Sequence, residues 1–150
     1  MFHKILVPLD GSGASQFALE PAFRLAQKYA AEVILLRVVV LEEVALQLQT
    51  LSSAYFALRD EMETRLREEA QTYLKAIRAE WKGMGVPIRT EVGSGAPPQV
   101  IHQIAAERSV DLIVMSTHGR AGLGRFVYGS VAEAVLRGSP IPVLLVPVKQ

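Results

Sequence analysis

A chain of 150 residues with a formal net charge of +1 has the size of one domain and no global charge favouring nucleic acid or anionic membranes. Half of its residues are hydrophobic and 21% are charged, as in soluble globular proteins. The absence of cysteine excludes disulfides and thiolate sites, and the N-terminal "MFHKILVPLD" does not resemble a signal peptide. No apolar run approaches the roughly 18 residues that span a bilayer, so we expect a cytoplasmic protein with no nucleic-acid and no membrane partner.

The chain begins with two predicted strands separated by a helix. Residues 4–9 and 32–41 are continuous apolar runs, which predicts strands that are buried on both faces. Between them, apolar residues at spacings of three and four predict an amphipathic helix over 15–30, and these residues are Phe17, Ala18, Ala22, Leu25, Ala26 and Tyr29.

The sequence leaves open how this first helix begins. Either Ser12 or Ser15 could cap its start, because a serine hydroxyl accepts hydrogen bonds from the first N–H groups of a helix. Pro21 cannot donate the hydrogen bond expected inside a helix. The helix therefore either kinks at Pro21 or begins late, and both alternatives stay open.

A long amphipathic helix is predicted over residues 57–82. Its apolar positions form one stripe opposite a face of Glu, Arg and Lys, and that stripe consists of Leu58, Met62, Leu66, Ala70, Leu74, Ile77 and Trp81. We expect this helix to cover one side of a sheet, with its acidic residues and with Glu42 and Glu43 in solvent. The mixed stretch 42–56 is interpreted as a loop passing into the helix, and the glycines of 83–85 end the helix.

The second half of the chain continues the alternation of strands and helices. Residues 86–92 alternate in polarity, which predicts a strand near the edge of the sheet, and "GSGAPP" (93–98) predicts a turn. The remaining predicted elements are a helix over 99–109, a strand over 110–116, a helix over 130–138 and a strand over 141–148.

This β-α-β-α-β-α-β-α-β order predicts one α/β domain over residues 1–150. Strands that are apolar on both faces are typical of a parallel sheet with helices on each side. Right-handed crossovers favour a doubly wound three-layer sandwich, Rossmann-like, with a five-stranded mainly parallel sheet and four helices. Such sheets bind ligands at the carboxyl ends of strands where the strand order reverses, so we expect the functional site at that edge.

The stretch "MSTHGRAGLGRFVYGS", residues 115–130, is the strongest candidate for a binding loop. It contains four glycines, two arginines and no acidic residue, and it connects a strand to a helix. Glycines let backbone N–H groups approach an anion, and the helix N-terminus adds further donors, which favours phosphate. A surface loop with a helix cap is an equally good interpretation. The stretch lacks the lysine of a P-loop and the G-x-G-x-x-G order of a dinucleotide site.

Four segments, "VPLDGS", "ILLRV", "MSTHGRAGLGRFVYGSVAEAVL" and "PVLLVP", resemble the universal stress protein family over essentially the whole chain. Nucleotide-binding members carry G-x2-G-x9-G-[S/T], which Gly119, Gly129 and Ser130 match, whereas Ser116 stands at the first glycine. The resemblance implies an adenine nucleotide hydrolase-like fold and a nucleotide-responsive stress protein that binds ATP. AMP, ADP or a cyclic dinucleotide are alternative ligands. A member that has lost nucleotide binding and acts through protein contacts is the alternative that Ser116 favours.

The resemblance also implies roles for individual residues. Asp10 would hold the ribose hydroxyls, the backbone of Val38 would recognise the adenine edge, and Gly119, Gly129 and Ser130 would hold the phosphates. The other implied nucleotide-binding residues flank these positions and are Pro8, Leu9, Met115, Ser116, His118, Arg120 and Val131. The simpler interpretations are a turn residue for Asp10 and plain sheet core for Val38.

No catalytic residue and no protein-borne metal site are predicted. The three histidines share no metal-ligand spacing, and no G-x-S-x-G elbow occurs. Asp10 ends one strand and Asp111 begins another, which separates them by roughly 17 Å in a parallel sheet. Mg²⁺ or Mn²⁺ could still enter with the phosphates. Slow ATP hydrolysis stays open, and an adenylyl-transferring enzyme is the remaining enzymatic alternative.

The last predicted strand, Ile141–Val148, is apolar and bracketed by Pro142 and Pro147. An open apolar edge strand invites pairing with another chain. The resemblance implies a homodimer formed through this strand. The alternative is a strand buried between two neighbours in the sheet.

Overall fold

The protein, described by a computed structural model, is a five-stranded sheet between two layers of helices. The structure describes residues 1–41, 54–117 and 129–149. Its strands are β1 (Lys4–Leu9), β2 (Glu32–Val39), β3 (Ile88–Ser94), β4 (Leu112–Ser116) and β5 (Val143–Val146). Its α-helices are α1 (Leu19–Tyr29), α2 (Ala54–Trp81), α3 (Pro97–Glu107) and α4 (Ser130–Gly138). The predicted three-layer α/β sandwich is confirmed.

The strand order is β3-β2-β1-β4-β5, and each pair of neighbours is parallel. From β1 the chain adds β2 and β3 on one side and later β4 and β5 on the other. The strand order therefore reverses between β1 and β4. β3 lies at one edge, as predicted, and β5 lies at the other, so the alternative of a last strand between two neighbours is wrong.

The two faces of the sheet carry separate hydrophobic clusters. One cluster packs beneath α1 and α2 and includes Val7, Val33, Leu35, Phe23, Leu74 and Ile77. The other packs beneath α3 and α4 and includes Leu6, Ile34, Leu36, Ile101 and Val135. Successive residues of a strand point to opposite faces, so β1 and β2 need apolar side chains at nearly every position.

The first helix begins late rather than kinking at Pro21. A 3₁₀ turn over Ala14–Ala18 precedes α1, whose first residue is Leu19. Pro21 then lies in the first turn, where backbone N–H groups have no partner within the helix, so its missing N–H costs no hydrogen bond. Of the two alternatives the late start is therefore confirmed, and the α-helix begins at Leu19 rather than at residue 15. Ahead of the 3₁₀ turn, the Ser12 hydroxyl accepts the N–H of Ser15 at 3.1 Å.

The long helix α2 covers one face of the sheet with the C-terminal half of its predicted stripe. Ala70, Leu74 and Ile77 are buried, whereas Leu58 is 37% exposed. A 3₁₀ turn then leads to Gly85, whose φ of 73° is the left-handed conformation that glycine adopts at helix ends.

β1 and α4 have the predicted bounds, and the other element boundaries differ from the predicted ones by at most three residues. β3 ends at Ser94 rather than at 92, and α3 starts at Pro97 because proline fits the first helical turn. β2 ends at Val39, β4 begins at Leu112, and β5 spans Val143–Val146. Of the predicted loop 42–56, residues 54–56 are helical, and the rest, with Glu42 and Glu43, lies outside the described residues.

The packing of α2 makes a prediction about stability. Leu74 is fully buried while Leu58, on the same helix, is 37% exposed. We expect Leu74→Ala to lower the free energy of unfolding by about 3 kcal/mol, because it removes buried methyl groups and leaves a cavity. The matched control Leu58→Ala should cost less than about 1 kcal/mol. Urea titrations followed by circular dichroism measure both, and equal losses would show that α2 does not pack as described.

Candidate functional site

A cavity of about 590 Å³ opens at the carboxyl edge of the sheet, beside the point where the strand order reverses. The ends of β1, β2 and β4, the first turn of α4 and one face of α2 contribute to its walls. Small-molecule sites in proteins typically enclose about 300–1,000 Å³ and occupy this position in open α/β sheets. The cavity is thus large enough for a nucleotide.

The structure brings the described members of the predicted site together in this cavity. Nine of them line it, namely Pro8, Leu9, Asp10, Val38, Met115, Ser116, Gly129, Ser130 and Val131. The other three predicted residues, His118, Gly119 and Arg120, lie outside the described residues. The contacts of these residues with a ligand stay a prediction.

Asp10 belongs to a tightly hydrogen-bonded turn at the end of β1. Its Oδ1 accepts the backbone N–H of Ser12 at 2.9 Å and the Ser12 hydroxyl at 2.5 Å. The Ser15 hydroxyl accepts the N–H of Asp10 at 3.4 Å and donates to the Ser12 carbonyl at 2.9 Å. Gly11 has a φ of 87°, which a residue with a side chain rarely adopts. Asp10 is therefore a turn residue, and it also lines the cavity.

The backbone of Val38 lies just past the end of the ladder between β1 and β2. The last register pair of that ladder joins Leu9 to Arg37, and on its other side Val38 is paired in register with Gly93. The Val38 side chain packs against the cluster beneath α3 and α4. The Val38 side chain is therefore part of the sheet core, and the residue also lines the cavity.

The first turn of α4 lines the same cavity as Asp10. Gly129 precedes the helix with a φ of 84° and a ψ of 144°, and its carbonyl accepts the N–H of Glu133 at 3.0 Å. Ser130 is the first helical residue. The first N–H groups of a helix lack intrahelical partners and carry partial positive charge, which suits them to bind an anion.

Ser116, which departs from the family pattern, is the last residue of β4. It is 7% exposed and pairs in register with Val146. The next residue, Thr117, donates its N–H to the Val146 carbonyl at 3.0 Å. The serine is thus accommodated as a buried residue at the carboxyl end of β4.

The sequence did not single out the wall that α2 contributes. Leu66, Glu69, Ala70 and Tyr73 line this side of the cavity together with Arg37. The one usable signal was Arg37, a charge within the otherwise apolar run "VILLRVVV". Tyr73 lies three residues after Ala70 and four before Ile77, so the periodicity indicates packing towards the sheet but does not indicate a cavity wall.

The amino edge of the sheet holds structural rather than ligand-binding polar groups. The Asp111 carboxylate accepts the N–H of His3 at 2.8 Å and that of Lys4 at 3.3 Å. Asp111 therefore lies beside the start of β1 while Asp10 follows its end, as predicted. Among residues 1–41, 54–117 and 129–149, no group of three His, Cys, Asp or Glu is placed to hold a metal ion. Within the same ranges, no helix is both long and apolar enough to cross a membrane.

Sequence comparison matches nearly the whole chain to one family. The profile of the universal stress protein family matches residues 1–147. Universal stress protein MJ0531 of Methanocaldococcus jannaschii is 36% identical over 97% of this chain and 82% of the relative. Universal stress protein MJ0577 of the same organism is 32% identical over 97% of this chain and 95% of the relative.

Structural comparison agrees with the sequence. The solved structure of MJ0577 superimposes with a TM-score of 0.86 and covers 100% of this chain and 99% of that protein. Universal stress protein UspA from Lactobacillus plantarum superimposes with a TM-score of 0.76 at 28% identity, covering 97% of each chain. With its doubly wound parallel sheet, its matching profile and relatives above 30% identity over nearly their full length, the chain belongs to the universal stress protein family.

Proposed function

We propose that this protein binds an adenine nucleotide, with ATP favoured over AMP, ADP and a cyclic dinucleotide, and acts as a nucleotide-responsive stress module. The observation that carries the proposal is that nine residues matched to the family's nucleotide site line one cavity. The nine residues come from four separate segments of the chain, and it is the fold that brings these segments together.

Each group in the cavity suits a different part of the nucleotide. The Asp10 carboxylate would accept hydrogen bonds from two neighbouring ribose hydroxyls. The backbone of Val38, beyond the last pair of the β1–β2 ladder, would pair with the edge of adenine. The N-terminus of α4 at Gly129 and Ser130 would hold phosphate oxygens with its backbone N–H groups. Mg²⁺ or Mn²⁺ would enter bound to the phosphates.

Other proteins of this fold hold the same class of ligand. A universal stress protein structure solved in complex with cAMP superimposes with a TM-score of 0.62 at 24% identity. A family protein from Arabidopsis thaliana was solved with AMP bound, at a TM-score of 0.62 and 18% identity. At these identities the likeness concerns the fold, so the proposal rests on the residues of this chain.

We propose a binding module rather than an enzyme, formed as one domain over residues 1–150 and acting in the cytoplasm. The roles assigned to the cavity residues are to hold ribose, base and phosphate, and none of them is assigned to activate water. Nucleic acid and membranes are not among the proposed partners, in keeping with a net charge of +1.

The second candidate function is a family member that no longer binds nucleotides. Ser116 favours it, because a side chain stands where the family pattern has a bare backbone, and this residue lines the cavity. This candidate predicts no stabilisation of the fold by ATP. Nucleotide binding predicts stabilisation that rises with ligand concentration.

Titration calorimetry with ATP and Mg²⁺ tests the proposed function on nucleotide-stripped protein. We expect binding that Asp10→Ala weakens by about tenfold or more, because the ribose hydroxyls lose a charged acceptor. We expect Gly129→Val to weaken binding as strongly, because a β-branched residue does not adopt a φ of 84° easily.

Two controls separate contact with the ligand from damage to the fold. Asp60→Ala removes an exposed carboxylate from α2 and should leave binding unchanged. Ser12→Ala removes a hydrogen bond to Oδ1 of Asp10 but keeps the carboxylate, so its loss should be smaller than that of Asp10→Ala. No heat at millimolar ATP, or binding that Asp10→Ala does not weaken, would contradict the proposal.

We also propose that two copies of the chain associate through β5 and its flanks, Ile141–Val148. In the described sheet β5 is paired with β4, and it ends the strand order on that side. Leu144 on this strand is 38% exposed. An edge strand with an exposed apolar side chain offers both backbone groups and hydrophobic surface to a second copy.

Sedimentation velocity tests this association. We expect the unsubstituted protein to be a dimer and Leu144→Glu to be largely monomeric, because the carboxylate would be buried without a partner in the interface. Phe56→Glu is the matched control, since Phe56 is exposed on α2, away from β5. A monomeric unsubstituted protein, or a dimer that only Phe56→Glu dissociates, would overturn the assignment of β5.

A further inference from the structure

We propose that Arg37 is a positioning residue for the ligand site, which holds the Asp10–Ser12 turn in its binding conformation through contacts with Gly11 and Tyr73. This inference rests on the proposed function and deepens it. The contacts of the Arg37 guanidinium with Gly11 and Tyr73 are called the Arg37 bridge below.

The first half of the bridge is a close approach to Gly11. A Cβ built on Gly11 would lie 2.6 Å from Nη1 of Arg37 and 3.0 Å from its Cζ. The 2.6 Å distance is shorter than real Cβ contacts, so a side chain at position 11 would have to displace the end of the Arg37 side chain. The φ of 87° at Gly11 is the backbone conformation that favours glycine there, and the close guanidinium adds a contact that a side chain at position 11 would disturb.

The second half of the bridge joins the same guanidinium to α2. The Cζ of Arg37 lies 5.5 Å from the centroid of the Tyr73 ring, within the range of a cation–π contact. Tyr73 in turn accepts a hydrogen bond on its hydroxyl from Nε2 of Gln16 at 3.5 Å. Gln16 belongs to the 3₁₀ turn that follows Gly11. Tyr73 therefore touches the segment after β1 both directly and through Arg37.

The bridge acts on the turn that presents the Asp10 carboxylate. Gly11 lies between Asp10 and Ser12, and the N–H of Ser12 bonds to Oδ1 of Asp10 at 2.9 Å. Arg37 is the last residue of β2 in register with β1, where it lies opposite Leu9. The pairing of β1 with β2 therefore does not fix the residues that follow Leu9. Beyond Leu9, the Arg37 bridge ties the turn to β2 and α2.

Positioning and direct phosphate binding by Arg37 predict different patterns of affinity. A guanidinium that holds the ribose-binding turn should matter equally for every ligand that contains the nucleoside. A guanidinium that binds phosphate should matter more as phosphates are added, because each adds charge. Calorimetry with adenosine, AMP and ATP on Arg37→Met distinguishes the two. We expect the affinity to fall by roughly tenfold for all three ligands.

A set of variants isolates the bridge from general damage. Tyr73→Phe keeps the aromatic ring but loses the hydroxyl that accepts from Gln16, so its affinity should fall less than that of Tyr73→Leu, which should match Arg37→Met. Arg89→Met is the control, because Arg89 pairs with Glu32 near the amino end of the sheet. Gly11→Ala should cost less affinity in the Arg37→Met background than in the unsubstituted protein. The backbone strain at position 11 is present in both backgrounds, whereas the clash of the new Cβ with Nη1 of Arg37 is absent from the double variant.

Hydrogen exchange in the ligand-free protein tests the bridge without any nucleotide. We expect Arg37→Met to raise the exchange rate of the Ser12 amide by about tenfold, with unchanged exchange in β4. If the unsubstituted protein binds none of the three ligands, the proposed function fails, and the exchange rates still decide whether the bridge holds the turn. Unchanged exchange at Ser12, or a loss of affinity that is confined to AMP and ATP, would overturn the proposal.

Discussion

The end of β1 is the constraint on which the site depends. β1 is the strand from which the sheet grows in two directions, with β2 on one side and β4 on the other, and parallel pairing directs their carboxyl ends to one edge. After Leu9 the chain leaves the sheet in a turn closed by Oδ1 of Asp10 and by the serine hydroxyls. Because helices cover both faces, the space above this turn is enclosed on two sides, and that space is the cavity.

The apolar strands of the centre made the fold predictable from the sequence. β1 and β2 are hydrophobic at nearly every position because both faces are covered, and that pattern distinguishes a parallel sheet from an open antiparallel one. Local details were less predictable. The first helix shows why, since the 3₁₀ turn changes the rotation per residue before Leu19. As a result, Phe17 is 38% exposed. Phe23, which the periodicity did not single out, is fully buried, and its ring stacks on that of Trp81 with 4.9 Å between the ring centroids.

The candidate site also has a part that the sequence predicts and a part that it does not. Residues such as Asp10 and Gly129 were found because short motifs place them, and the topology then carries those motifs to one edge. The α2 wall was not found, because periodicity indicates that Leu66, Ala70 and Tyr73 face the sheet but does not distinguish a side chain in the core from one that lines a cavity. Arg37 illustrates the limit: a charge in an apolar strand signals an exception, but only the structure identifies Gly11 and Tyr73 as its neighbours.

The most direct test of nucleotide binding at this edge of the sheet is a crystal structure of the protein grown with ATP and Mg²⁺. We expect one nucleotide in the cavity beside β1, with ribose hydroxyls within hydrogen-bond distance of Asp10 and phosphates at the N-terminus of α4. A nucleotide bound at another surface, or bound with its phosphates directed away from Gly129 and Ser130, would contradict it.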